Sequence, residues 1–384
     1  MERLRTGLIG CGKVGYTHAL ALAALPGSAF TAVCGRDAER TRAFAERFGV
    51  RAYLDTREMM AAEQLDMVSV CTPHPLHADA VEAAAQGGAS VLVEKPLAAG
   101  LADADRAIDA ARAAGVQLGV VSQRRWYRPV VRMRQAIDEG RIGRPVLATV
   151  TVLGWRDAAY YASDPWRGRW STEGGGVLVN QTPHHLDLLL WFMGPVAEVH
   201  GYWGNFNHPT IEVEDTAVAA IRFASGGLAT LTLSNSQDPG LYGRIHVHGS
   251  NGASVGVQTD GGSAFISGVT TGVEPPVNDV WTIPGEAELL PAWQAEDRAA
   301  ASREDPMTFY HERQIEDFLE AIRSGRPPAV DGEAGRRVVE LFTAVYRSQR
   351  DRRPSRFPLE REAGAVDDDG RISSGATPDE AAPR

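Results

Sequence analysis

Lysine is almost absent from this 384-residue chain: of its 39 basic residues only Lys13 and Lys95 are lysines, and the rest are arginines. Arginine stays charged in any protein setting, whereas a crowded or buried lysine can lose its proton near neutrality. A lysine kept against such a bias is a candidate for proton transfer, although Lys13 reads equally well as a solvated loop residue. Cysteine is scarce too. Cys11, Cys34 and Cys71 are an odd number without metal-ligand spacing, which argues against a disulfide framework and gives no reason to expect a metal. No apolar run approaches the length that spans a bilayer. A strand entered by about residue 5 leaves no room for a secretory leader, so a cytoplasmic protein is expected. Positive charge is lacking as well: a net charge of −10 points to neither nucleic acid nor a membrane surface as partner.

What is present reads as a globular protein long enough for two domains. Short apolar runs at residues 6–10, 30–34, 66–71, 90–94 and 116–121 alternate with helical patterns such as 14–25 and 37–48. Strands alternating with helices imply an α/β fold with a parallel sheet covered on both faces. Between the first strand and first helix lies Gly10-Cys11-Gly12-Lys13-Val14-Gly15. In that context the glycine pattern is a dinucleotide loop: Gly10 permits the tight turn, Gly12 lets backbone approach a pyrophosphate, and Gly15 lets the helix pack against the strand. Lys13 and Val14 open the helix over the same ligand. At the end of the second strand, where an acidic residue accepts the ribose hydroxyl of NAD, the chain has Gly35, then Arg36 and Arg40. Guanidinium groups there suit a 2′-phosphate, which tilts the cofactor from NAD toward NADP; Asp37 is a second acceptor within reach.

Three further motifs follow in order: Cys71-Thr72-Pro73-His74-Pro75-Leu76-His77, then Glu94-Lys95-Pro96, then Gly174-Gly175-Gly176 leading to Asn180-Gln181-Thr182-Pro183-His184. With the glycine loop, this succession over residues 5 to about 358 resembles the Gfo/Idh/MocA oxidoreductases. The resemblance implies a Rossmann domain with a doubly wound parallel sheet (1–122), then a C-terminal α/β domain with a large, mostly antiparallel sheet (123–358) that binds substrate and forms dimers or tetramers. Residues 359–384, acidic and poor in apolar side chains, are expected to be disordered. Alternating runs at 215–223, 228–233 and 244–248 fit the second sheet, and helices are expected at 312–322 and 332–348.

Carried over by resemblance, Lys95 is the catalytic lysine and His184 its partner. Asn180 stands where the commoner family pattern has aspartate, and asparagine can orient a group but cannot take its proton. Thr72, Pro73, His77 and Glu94 fall with the cofactor, as does the Trp166-Arg167 pair. The aromatic and arginine-rich stretch with Trp155, Arg156, Tyr160, Trp166, Arg167, Arg169 and Trp170 suits a sugar ring, whose C–H faces are apolar and whose hydroxyls need directed partners. Tyr160 and Trp166 are assigned to substrate, Trp155 and Trp170 to the core. Arg124 and Tyr127, after the fifth strand, are placed at the cleft. His185 is expected to face elsewhere, Asp187 to be structural, and His311 to lie at the surface or cap a helix.

The expected function is NAD(P)-dependent hydride transfer at a secondary hydroxyl of a sugar or glycoside. An inositol or nucleotide-sugar dehydrogenase is the alternative within enzymes. A dinucleotide-sensing regulator without catalysis is the alternative of another class, disfavoured because it has no need to keep Lys95.

Overall fold

The computed structural model describes residues 3–261, 275–302 and 306–360. The tail from 361 onward lies outside the described residues. The first sheet is built from β1 (Leu4–Ile9), β2 (Ser28–Cys34), β3 (Arg51–Tyr53), β4 (Met67–Val70), β5 (Ser90–Val93) and β6 (Leu118–Val120). All neighbours are parallel, in the order β3-β2-β1-β4-β5-β6. Every residue of β4 and β5 is buried, as expected for strands covered on both faces by helices. Those helices include α1 (Lys13–Ala24), α2 (Ala38–Phe48), α3 (Thr56–Glu63), α4 (His77–Gln86) and α5 (Leu101–Ala114). The strand order reverses between β1 and β4, which opens a crevice at the strands' carboxyl ends.

A helix, α6 (Arg128–Asp138), leads into the second sheet: β7 (Pro145–Leu153), β8 (Val196–Gly204), β9 (Thr216–Phe223), β10 (Leu228–Ser234), β11 (Tyr242–Gly249), β12 (Ser254–Gly261), β13 (Val277–Trp281) and β14 (Ser355–Arg356). Its order is β13-β12-β11-β7-β10-β9-β8-β14, antiparallel except for the β7–β10 pair. Buried and exposed residues alternate strictly along β9, so one face is core and the other is open. On the way from β7 to β8 the chain forms α7 (Ala158–Ala162), α8 (Trp170–Glu173) and α9 (Pro183–Met193).

After α10 (Leu290–Ala301), the last two helices return to the first sheet. In α11 (Pro306–Ser324), Ile315, Phe318 and Leu319 bury themselves with Leu22, Leu92 and Val121. The side chain of Gln314 clasps the end of β6, donating to Val120 O at 2.8 Å and accepting Ser122 N–H at 2.8 Å. α12 (Gly332–Asp351) packs on both α5 and β8 and so spans the two sheets. The first sheet takes its strands from residues 4–120 and the second from residues 145–356, and helices from beyond residue 300 pack on the first. α11 also starts six residues earlier than expected, which carries His311 inside the helix and into the interior.

Candidate active site

β1 delivers the chain to the glycine loop, and α1 begins at Lys13 with Gly12 as its N-cap. Gly10 has φ +109°, and a Cβ there would lie 2.5 Å from the Cys71 carbonyl oxygen. A Cβ on Gly15 would meet Gly10 O at 2.0 Å, whereas one on Gly12 meets nothing within 4 Å. The first and third glycines are therefore demanded by close packing, and the second leaves open space before a helix N-terminus. Such a cradle fits a pyrophosphate. It opens into a cleft of about 840 Å³ that runs from β2 to the second sheet.

At the outer end the cleft is lined by Gly35, Arg36 and Arg40. Asp37 caps α2, accepting Arg40 N–H at 2.8 Å. Arg36 and Arg40 make no ion pair among the described residues. A Cβ on Gly35 would lie 2.4 Å from Thr41 Oγ1, so this position is held small by packing as well as by any ligand.

At the inner end the walls include Thr72, Pro73, Glu94, Lys95, Trp166 and Arg167. Lys95 Nζ donates to the backbone oxygen of Asn180 at 2.9 Å. Burial pulls its pKa below the ordinary lysine range, with Arg124 and Arg167 adding to the effect and Glu94 opposing it. Glu94 is buried between two histidines, with Oε1 2.9 Å from His18 Nε2 and 3.5 Å from His311 Nε2. Burial alone would raise its pKa, but those histidines outweigh it and hold the carboxyl well below the usual range. These three are the one His/Cys/Asp/Glu group among the described residues whose potential ligand atoms converge; the direct His18–Glu94 hydrogen bond spans two of them.

The opposite wall comes from the second motif. Gly174 and Gly175 take positive φ, and a Cβ on Gly176 would lie 1.8 Å from Glu214 O. The glycines thus turn the chain against β9's entry before a single π-helical turn, Val177–Gln181, presents Asn180 and Gln181 to the cleft. Single π turns of this kind recur at functional sites. Pro183 then starts α9, with His184 in its first turn. His184 is buried, its Nδ1 has no hydrogen-bond partner among the described residues, and burial together with Arg124 and Lys95 keeps the ring neutral. Asn180 Nδ2 donates to Tyr160 at 3.2 Å and to Glu173 at short range. The Tyr160 hydroxyl also accepts from Gln181 Nε2 at 2.8 Å and from Arg167. These donors compete for the two lone pairs of the Tyr160 oxygen, and among the described residues no acceptor takes its hydrogen. Arg167 lies 4.5 Å over Trp166 and 4.2 Å over Tyr160. Arg124 and Tyr127 also reach the cleft, Arg124 donating to His185 Nε2 at 3.0 Å.

Three expectations need correction. His77 does not line the cleft: it is fully buried, with ring nitrogens 2.8 Å from the carbonyl oxygens of Thr72 and Pro96, and so staples two motifs together. His185 faces the cleft through its bonds to Arg124 and Thr259. His311 is buried against Glu94 and reaches the cleft wall. Glu173, 1% exposed, escaped the sequence reading altogether. Its only signal is an acidic residue directly before the triple glycine.

Residues 4–122 match the oxidoreductase family with the NAD-binding Rossmann fold, and residues 130–255 match the GFO/IDH/MocA C-terminal domain. The chain is 29% identical to a myo-inositol 2-dehydrogenase of Thermotoga maritima, over 91% of its own length and 97% of that protein's. It is 28% identical to a D-apiose dehydrogenase of Paraburkholderia graminis, covering 95% and 93%. Among solved structures it resembles the WlbA dehydrogenase from Bordetella pertussis in complex with NADH and UDP-GlcNAcA, with TM-score 0.79 and 29% identity over 94% of this chain and all of that one. With glycine loop, lysine motif and second sheet all in place, this chain belongs to the Gfo/Idh/MocA family of NAD-binding oxidoreductases.

Proposed function

We propose that the protein is an NAD(P)-dependent dehydrogenase that interconverts a secondary hydroxyl and a ketone on a sugar or glycoside. The observation that carries this reading is Lys95, a desolvated amine held at the inner end of the dinucleotide cleft by Asn180 O. The nicotinamide, when bound, supplies the hydride acceptor or donor. Lys95 takes the hydroxyl proton as the carbonyl forms and returns it in the reverse direction. Neutral His184 and the Tyr160 hydroxyl orient the reacting oxygen, and Asn180 holds the amine. Trp166 and the Arg167 face give the ring an apolar wall with a cationic edge. The sugar and polyol dehydrogenases among the relatives support the substrate class. The nucleotide-sugar complex of WlbA supports a second reading, a sugar carrying a diphosphate, for which Arg156 and Arg167 line the same cleft. Arg36 and Arg40 support NADP, and the open face of the second sheet supports a homo-oligomer.

The test begins with calorimetry of NAD and NADP on wild type and on Arg36→Ala. Tighter NADP binding that falls about tenfold in the variant is expected, and a wild type that prefers NAD refutes the NADP assignment. Free sugars, glycosides, inositols and nucleotide sugars are then screened for nicotinamide absorbance change. Cofactor binding without turnover on any of them would instead favour a regulator.

A further inference from the structure

The carboxyl of Glu173 has no part in the reaction set out above. One of its oxygens accepts the N–H of Gly168 and the other accepts Asn180 Nδ2. The second hydrogen of that amide goes to Tyr160. In its ionised form the Glu173 carboxyl can only accept, which turns the Asn180 Nδ2 toward it and leaves Oδ1, which has no donor among the described residues, to accept from a ligand in the cleft. The backbone oxygen of the same residue holds Lys95 Nζ. Glu173 therefore stands one hydrogen bond behind the residue that holds the amine.

We propose that Glu173 is a positioning residue for hydride transfer: it locks the Asn180 amide with Oδ1 free for substrate and supplies, beside Lys95, the negative charge that position 180 lacks. The proposal rests on Lys95 being the proton acceptor. Burial pushes the pKa of Glu173 up to about 7, against the opposing pull of Gly168 N–H, the Asn180 amide and Arg167. Behind the glycine turn, Glu214 opposes its ionisation while accepting the N–H groups of Gly176 and Leu178. The buried Tyr160 hydroxyl shares the Asn180 amide, and His74 Nδ1 lies 3.0 Å from the Glu173 carbonyl oxygen. The sign follows directly. As pH rises through neutrality the carboxylate forms and favours the Lys95 ammonium; removing it leaves Lys95 easier to deprotonate.

The scarcity of lysine makes this measurable without substrate. Protein labelled with [15N]lysine carries two Nζ signals, and Lys13→Arg assigns them. In Glu173→Gln the Lys95 titration is expected to move acidward, because the Glu173 charge favours the Lys95 ammonium. The reversed pair Glu173→Gln/Asn180→Asp restores the charge and should bring the titration back. Asn180→Asp alone puts two carboxyls in contact; they share one proton, so Lys95 should stay near its wild-type value. Lys95 unmoved in folded Glu173→Gln, or not restored in the reversed pair, overturns the proposal. Should Glu173→Gln fail to fold, Asn180→Asp decides, because an alkaline shift there means that Glu173 shares no charge with position 180. A protein inactive on every sugar but with Lys95 coupled to Glu173 would sink the substrate assignment and leave this coupling intact.

Discussion

The proton on Lys95 is held less tightly than on an ordinary lysine. Burial is the main reason, Arg124 and Arg167 add to it, and Glu94, which also faces His18 and His311, opposes it. Lys95→Arg keeps the charge and approximate length but abolishes deprotonation. Turnover should fall by about 10²–10⁴-fold, the usual worth of general acid–base catalysis, with cofactor affinity nearly unchanged by calorimetry. Wild-type turnover in this variant would take Lys95 out of the proton path. The lysine was legible from sequence because composition and a local motif both single it out. Glu173 was not, because its partner lies across a glycine turn and a π turn that no periodicity announces. His311 was missed for a different reason: its partner Glu94 follows β5 of the first sheet, far back along the chain, and only the fold brings them together.

The strands of both sheets that carry apolar runs were readable, since burial on one or both faces writes its period into the residues. β3 and α3 were not. β3 has three residues, two of them exposed, so it has no period to read. On the second sheet the alternation has a further consequence. Tyr202 on β8 lies opposite Val218 on β9, and they are 62% and 43% exposed; Leu147 and Leu228 face out from β7 and β10. A homo-oligomer seated on this face, as proposed above, would cover these two exposed apolar pairs. Wild type is expected to sediment as an oligomer, and Tyr202→Asp as a smaller species with unchanged circular dichroism. A wild type that sediments as a monomer would show that this face has no partner in solution.

Across the whole molecule, the cleft is walled by residues from both sheets, so the candidate site is assembled only when the chain has closed on itself. α12 ties the two parts together by packing on α5 and β8. α11 matters differently. Leu22, Leu92 and Val121, from the first third of the chain, find their cover in Ile315, Phe318 and Leu319. A ribosome delivers those two groups far apart in time, so the nascent Rossmann unit emerges with an apolar strip uncovered until residues beyond 300 have been made. Residues 1–122 expressed alone should therefore aggregate, and a separate peptide spanning 306–351 should restore solubility when co-expressed. A fragment that is soluble and cooperatively folded by itself would show that this unit matures independently of its last two helices. If it is not, chaperone dependence during synthesis is built into the order in which this fold is threaded.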